Sequence, residues 1–184
     1  MSAPQRLTID TTVARDFLDP KRERHELAKQ LFVLAQAGEV ELAVAPQGHR
    51  LDVEENLAEQ LRATFAGEGV EETRQLARVS GATYPSANLF PGQYVHDFDE
   101  AWDGVAATWR SHEGKPPKLA DRFHVETHVL ERRDFFVTDD RPLLIMCRRL
   151  RDEHGITIEA MSLGEYLERE LGPGGEFLVV VVTG

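Results

Sequence analysis

The chain has 184 residues, of which 41% are hydrophobic and 29% are charged, and its formal net charge is −11. This length suits one domain with a complete core and would be cramped for two. Without a visible basic face, an acidic chain is not expected to grip nucleic acid through its own charge. Carboxylates that carry a divalent metal would reverse the local sign, so the charge alone does not separate such a site from a plain acidic surface.

Cysteine content and the length of apolar runs limit the cellular compartments in which the protein is expected. The single cysteine, Cys147, excludes an internal disulfide and a cysteine-rich zinc site, and we expect it to be a small buried hydrophobe. The longest apolar run, at residues 177–182, is too short to cross a bilayer. The first ten residues lack the apolar core of a signal peptide. We therefore expect a cytoplasmic protein with no membrane partner.

In the first half of the chain, segments with the hydrophobic spacing of a strand alternate with segments that have the spacing of a helix. Residues 6–10 predict a short strand that ends on Asp10. From residue 20 the apolar spacing becomes helical, and Gly38 is placed to end that helix. Residues 40–45 predict a second strand. The other predictions in this half are helices over 52–66, 71–79 and 98–109 and a loop over 80–93.

The second half shows a clearer alternation after a break at residues 114–117. The predicted elements are a helix over 120–132, a strand over 135–137, a helix over 141–154, a strand over 156–158 and a helix over 163–171. A glycine-rich break then precedes the β-branched run at 177–182, which predicts a further strand. This order predicts an α/β fold with three layers, in which helices cover both faces of a mainly parallel sheet.

Acidic residues lie where these predicted strands end. Asp10 follows the first strand, Asp139 and Asp140 follow the strand over 135–137, and Asp121 begins the helix before it. Ligands of parallel α/β sheets bind outside the carboxyl ends of the strands. Carboxylate oxygens there suit Mg²⁺. Taken singly, each aspartate is explained as well by a turn or a helix cap, and only their joint placement favours a metal site.

Residues 119–140, LADRFHVETHVLERRDFFVTDD, resemble the second half of PIN domains, in which an Asp opens a helix and a hydrophobic strand ends in Thr-x-Asp. Residues 7–13 are similar to the first strand of that family, with an Asp followed by a small polar residue. Residues 155–167 resemble its last strand and helix. From the resemblance we expect residues 1–171 to form a single PIN-like domain, in which residues 67–118 match the family poorly. Residues 172–184 would then be a C-terminal extension with a strand.

The resemblance implies a nuclease that depends on Mg²⁺ or Mn²⁺, commonly an endoribonuclease on single-stranded RNA, with DNA as a second substrate class. It also implies an antitoxin-like protein partner, because many members are toxins. Asp10, Asp121 and Asp140 would be catalytic metal ligands, and Asp139 would be an additional carboxylate near the metal. Thr138 and Thr11 would support them.

One position departs from the family pattern. Where the family places a Glu after its second strand, this chain has Leu51. Asp52 would complete the catalytic set with a shift of one residue, Glu55 lies one turn further on, and otherwise the fourth ligand is absent. Arg50 could contact a phosphate of the substrate or be a plain surface residue.

Other interpretations remain beside the nuclease. A non-catalytic PIN-like binding or regulatory protein with an incomplete acidic site is the stronger rival, whereas a haloacid-dehalogenase-like phosphatase would need an Asp at Thr12. His124 and His128 have the spacing of zinc ligands, but we expect an exposed or internally satisfied pair. The strand at 177–182 would favour a homodimer if it formed an exposed edge.

Overall fold

A computed structural model describes residues 3–45, 63, 67, 71–72 and 92–172 of the chain. The C-terminal strand predicted at 177–182 lies outside these residues, as does nearly all of the helix predicted over 52–66. Arg50, Asp52 and Glu55 also lie outside them, so their predicted roles stay predictions.

Five strands among the described residues form one sheet in which every neighbouring pair is parallel. In chain order the strands are β1 (Gln5–Ile9), β2 (Val40–Val44), β3 (Glu71–Glu72), β4 (Phe135–Val137) and β5 (Ala160–Met161). Their order across the sheet is β3-β2-β1-β4-β5, which places β1 in the centre. The last three residues of β1 and of β2 and all three residues of β4 are buried, as expected for strands covered on both faces.

Helices cover both faces of this sheet. In chain order they are α1 (Thr11–Leu18), α2 (His25–Gln36), α3 (Gly92–Ala107), α4 (Leu119–Glu131), α5 (Arg141–His154) and α6 (Leu163–Leu171), with a 3₁₀ turn at Ser111–Glu113. The α/β fold with a parallel sheet predicted from the sequence is therefore confirmed. Among the described helices, none has both the length and the apolarity to span a bilayer.

Two hydrophobic cores lie on opposite faces of the sheet. Leu7 and Ile9 of β1 belong to the core that contains α1, α2 and α6. Phe136 of β4 belongs to the other core, with α3, α4 and α5. Because side chains alternate along a strand, Thr8 of β1 faces α4. Cys147 is buried in this second core, as predicted.

Three local predictions were wrong. The strand predicted over 156–158 is absent, and the chain pairs with β4 at Ala160–Met161 instead. The helix predicted over 71–79 does not begin where expected, because Glu71 and Glu72 form the edge strand β3. The loop predicted over 80–93 ends early, since α3 already includes Gly92 and Gln93.

Helix α1 was not predicted. Its first residues, Thr11, Thr12 and Val13, are β-branched and favour an extended chain, but Asp10 caps the helix by accepting the amide of Val13. The aromatic ring of Phe17 stacks on Phe32 of α2, with ring centroids 3.7 Å apart. Tertiary packing and a cap thus outweigh a weak local preference.

Candidate functional site

The carboxyl ends of three strands meet at one edge of the sheet. The amide of Asp10 donates to the carbonyl of Val137 at 3.3 Å, and the amide of Thr138 donates to the carbonyl of Met161 at 3.1 Å. These bonds hold the ends of β1, β4 and β5 side by side. Helices α1, α5 and α6 all begin here. This edge, with Asp10, Thr138, Asp139 and Asp140, is called the acidic edge below.

Asp10 and Asp140 are joined through one hydroxyl group. Thr138 donates its Oγ1 proton to Oδ2 of Asp10, and the same Oγ1 accepts the amide of Asp140 at 3.0 Å. Oδ1 of Asp10 accepts the amide of Val13 at 3.0 Å, and Oδ1 of Asp140 accepts the amide of Leu143 at 3.1 Å. Both aspartates therefore cap helices, as the simpler interpretation of the sequence had it, and the fold also makes them neighbours.

Burial and neighbouring charges destabilise the ionised form of Asp10. Only 4% of the residue is exposed. Burial raises the pKa of Asp10 from 3.8 to about 7, although the hydrogen bonds from Thr138 and Val13 lower it, and the charges of Asp140 and Asp139 raise it further. The three aspartates are thus electrostatic neighbours. A carboxylate in this position is stabilised by a proton or by a cation.

Asp139 precedes α5 but contacts the helical layer on the other face of the sheet, which contains α2 and α6. Its side chain is 3% exposed and forms an ion pair with Arg24, the residue that precedes α2. Its Oδ1 also accepts the amide of Leu163, the first residue of α6, at 3.3 Å. Its Oδ2 is buried and accepts no hydrogen bond within the described part of the chain. Asp139 therefore anchors α2 and α6, and one of its oxygens remains unsatisfied.

Asp121 lies in the first turn of α4. Its Oδ2 accepts the amide of Lys118 at 2.6 Å, which is a helix-capping contact. After burial, the charges of Asp10 and Asp121 both raise the pKa of the Cys147 thiol. The two carboxylates therefore lie within electrostatic reach of the same sulfur, although Asp121 uses one oxygen to cap its own helix.

Two buried histidines of α4 contact β1 and α1. Nε2 of His124 and Oγ1 of Thr11 share a hydrogen bond of 3.1 Å, and Nδ1 of His128 and Oγ1 of Thr8 share another of 3.1 Å. Burial lowers the pKa of His124 to about 4. Burial, and then the charge of Arg133, lowers the pKa of His128 to about 3. Each neutral histidine shares a hydrogen bond with a different threonine, so the pair is buried rather than exposed.

The acidic edge fits a hydrated hard cation better than a cage of protein ligands. Within the described ranges, no group of three or more His, Cys, Asp or Glu side chains could hold a metal ion. Mg²⁺, however, usually keeps several waters and binds through one or two carboxylates. Each oxygen of Asp10 accepts one hydrogen bond, which leaves a lone pair. The unsatisfied Oδ2 of Asp139 is a further oxygen whose burial a nearby cation would make less costly.

Comparison with protein-family models, with curated proteins and with solved structures found no match to this chain. The resemblance to PIN domains therefore depends on the residues at 7–13, 119–140 and 155–167. In the structure these segments contribute β1, α4 with β4, and β5 with α6. The strands among them are the three that meet at the acidic edge.

Proposed function

We propose that this chain is a divalent-metal-dependent nuclease of the PIN type that hydrolyses phosphodiester bonds in single-stranded RNA. The observation that carries the proposal is the hydrogen-bonded connection from Asp10 through Thr138 to Asp140 at the carboxyl edge of the sheet. Ligand sites of parallel α/β sheets lie at this edge. Two aspartates from distant parts of the chain, both needed as helix caps, share it with a third, buried aspartate.

Asp10 and Asp140 would hold Mg²⁺ or Mn²⁺. When bound, the metal supplies an activated water and stabilises the charge that develops on the phosphate. The Thr138 hydroxyl orients Asp10, and the amides of Val13 and Leu143 fix the two carboxylates to the first turns of α1 and α5. Asp121 stays the proposed third ligand, Asp139 adds negative charge beside Asp10, and Asp52 or Glu55 remains the predicted fourth ligand.

The acidic overall charge agrees with a site in which the metal, rather than the protein, supplies the positive charge. A chain of net charge −11 repels a polyanion, so the positive charge for RNA has to come from elsewhere. A metal held at the acidic edge would reverse the sign of the potential where the phosphate binds. The preference for single-stranded RNA over DNA comes from the family resemblance alone.

A non-catalytic PIN-like binding protein is the second candidate. Two observations favour it: Arg24 forms an ion pair with Asp139, and the Lys118 amide takes one oxygen of Asp121. The ion pair neutralises the charge of Asp139, and the capping contact directs one oxygen of Asp121 to its own helix. In such a protein the same residues would mainly stabilise the fold.

Cleavage of labelled single-stranded RNA and DNA, with Mn²⁺ or with EDTA, tests the nuclease proposal. Asp10→Asn and Asp140→Asn should each slow cleavage by more than the roughly 10- to 100-fold expected for loss of an outer-shell partner. Asp152→Asn is the control, because Asp152 is exposed near the far end of α5, the helix that Asp140 begins. It should change the rate by less than about threefold.

Two outcomes would count against the nuclease. If the folded wild-type protein cuts neither RNA nor DNA but still binds Mn²⁺, the non-catalytic candidate replaces it. If Asp10→Asn and Asp140→Asn cut as fast as the wild-type protein, the acidic edge is not the active site. Circular dichroism of each variant confirms that it is folded.

A further inference from the structure

We infer that His124 is a positioning residue for the acidic edge, which acts through Thr11 to fix the first turn of α1 and thereby the Asp10 carboxylate. Its consequence for metal binding rests on the proposed function, whereas its effect on the turn itself does not. In this assignment His124 acts through Thr11 and does not act on the substrate directly. Its role is to hold the residue that follows Asp10.

The contact lies next to the proposed metal ligand. His124 is 1% exposed and Thr11 is 3% exposed, and their Nε2 and Oγ1 atoms are 3.1 Å apart. Thr11 is the first residue of α1, and Asp10 is its cap. The Asp10 side chain holds this turn through the Val13 amide, and His124 holds it through Thr11. Two contacts to neighbouring residues therefore fix the orientation of one turn.

The hydrogen bond also joins the two helical layers. Val13 and Ala14 of α1 pack in the core on one face of the sheet, whereas Val125 and Val129 of α4 pack on the other. The contact between His124 and Thr11 therefore passes around the carboxyl end of β1. A shift of α4 relative to the sheet would move the first turn of α1 and the carboxylate that caps it.

A neutral histidine suits this position. Burial keeps the imidazole uncharged at neutral pH, since the pKa of His124 is lowered to about 4. An arginine or lysine here would place a fixed positive charge close to Asp10 and weaken cation binding. The imidazole offers a hydrogen bond of fixed direction without that charge.

The chain contains a matched control one turn further along α4. His128 is also 1% exposed, and its Nδ1 lies 3.1 Å from Oγ1 of Thr8. Thr8 is in the body of β1 and is 0% exposed. Thr11→Val and Thr8→Val each remove one buried hydroxyl that binds a histidine of the same helix. Only Thr11→Val removes a contact to the first turn of α1.

The test compares these variants of the full chain by two measurements. The first is the Mn²⁺ dissociation constant by calorimetry, and the second is metal-free amide exchange of Val13 by NMR, with amides of β1 reporting global opening. Thr11→Val should weaken Mn²⁺ binding roughly 10- to 100-fold, as loss of an outer-shell partner does. It should also speed Val13 exchange about tenfold or more relative to the β1 amides. Thr8→Val should leave both within about threefold of wild type, and Thr11→Ser should restore both.

Equal effects of Thr11→Val and Thr8→Val would show that the contact is merely structural and would overturn the inference. Mn²⁺ binding by wild type that Thr11→Val leaves unchanged would overturn it while the nuclease proposal stands. If wild type binds no Mn²⁺, the nuclease proposal fails, and Val13 exchange alone decides whether His124 positions Asp10. If Thr11→Val does not fold, His124→Leu replaces it as the test variant. His124→Gln, which keeps a nitrogen near Nε2, should then restore both measurements, and His128→Leu is the control.

Discussion

At the scale of single residues, the aspartates of the acidic edge combine a structural and a proposed chemical role. Asp10 and Asp140 cap α1 and α5, and a cap uses only one lone pair of a carboxylate oxygen. The two interpretations that the sequence left open, capping and metal binding, are therefore compatible. The structure confirms the first, and the second remains a proposal.

The Thr138 hydroxyl is the most informative single group to remove. Thr138→Val deletes the donor to Oδ2 of Asp10 and the acceptor of the Asp140 amide. We expect a loss of about 1–3 kcal/mol in the free energy of unfolding, because a buried carboxylate oxygen loses its donor. We also expect roughly 10- to 100-fold weaker Mn²⁺ binding. Urea unfolding and calorimetry measure the two effects, and Thr138→Ser should retain most of both; equal losses in Thr138→Ser would contradict this assignment.

His128 should make the stability of the protein depend on acid pH. Its pKa is lowered from 6.5 to about 3, so between these values the unfolded state binds more protons than the folded state. Stability contributed by the neutral ring is complete above pH 6.5 and is lost as the pH falls toward 3. The slope for one such group reaches about 1.4 kcal/mol per pH unit.

Urea unfolding of wild type and His128→Asn across this pH range measures the slope. The asparagine can keep a hydrogen bond to Thr8 but does not titrate. We expect the difference in unfolding free energy between the two proteins to change in favour of the variant as the pH falls. Parallel curves for both proteins would show that His128 is not buried as a neutral ring.

The sequence predicted part of the acidic edge and missed the rest for a physical reason. Asp10, Asp139 and Asp140 follow predicted strands, so the rule for parallel sheets placed them at one edge, whereas Thr138 was assigned through the family resemblance. The pairing of Arg24 with Asp139 joins residues far apart in the chain and has no local pattern. The contact of His124 with Thr11 is similar, although two histidines four apart beside Val125 and Val129 were a usable signal for a buried polar pair.

At the scale of elements, predictions were right where local signals agreed and wrong where tertiary contacts decided. Strand β2, helix α5 and helix α6 lie within one residue of prediction, and Gly155 ends α5 with φ of 69° as a C-terminal glycine does. Ile156 and Ile158 are buried in the second core although they form no strand. The β-branched pattern therefore predicted correctly which residues are buried and not which residues pair as a strand.

Helix α3 offers a stabilising substitution. A Cβ at Gly104 would lie 3.1 Å from Cε1 of His154, an exposed side chain at the end of α5 that can rotate away. Gly104→Ala should therefore raise the free energy of unfolding by up to about 1 kcal/mol, because glycine is unfavourable inside a helix. Gly155→Ala should lower it by about 1–2 kcal/mol, since alanine is strained at positive φ. Urea midpoints measure both; a destabilised Gly104→Ala protein would show that the contact between α3 and α5 cannot adjust.

At the scale of the whole molecule, the two ends of the sheet differ in whether their charged side chains are paired within the protein. At the amino end, the fully buried side chain of Arg133 donates to the carbonyls of Leu7 and Glu41 and forms ion pairs with the Glu41 and Glu131 carboxylates. At the carboxyl end, Arg24 pairs with Asp139, and among the described residues no arginine or lysine pairs with Asp10 or Asp140. The amino end is thus neutralised internally, whereas the carboxyl end favours an external cation.

Calorimetric titration of the full chain with Mn²⁺ tests that claim most directly. The wild-type protein and Asp152→Asn should bind alike, and Asp10→Asn and Asp140→Asn should each bind at least about 100-fold more weakly. Because the pKa of Asp10 is about 7 and a metal ligand must lose its proton, wild-type affinity should fall by up to about tenfold per pH unit below that value. Folded wild-type protein that binds no Mn²⁺, or Asp10→Asn and Asp140→Asn variants that bind it as tightly as wild type, would contradict the account.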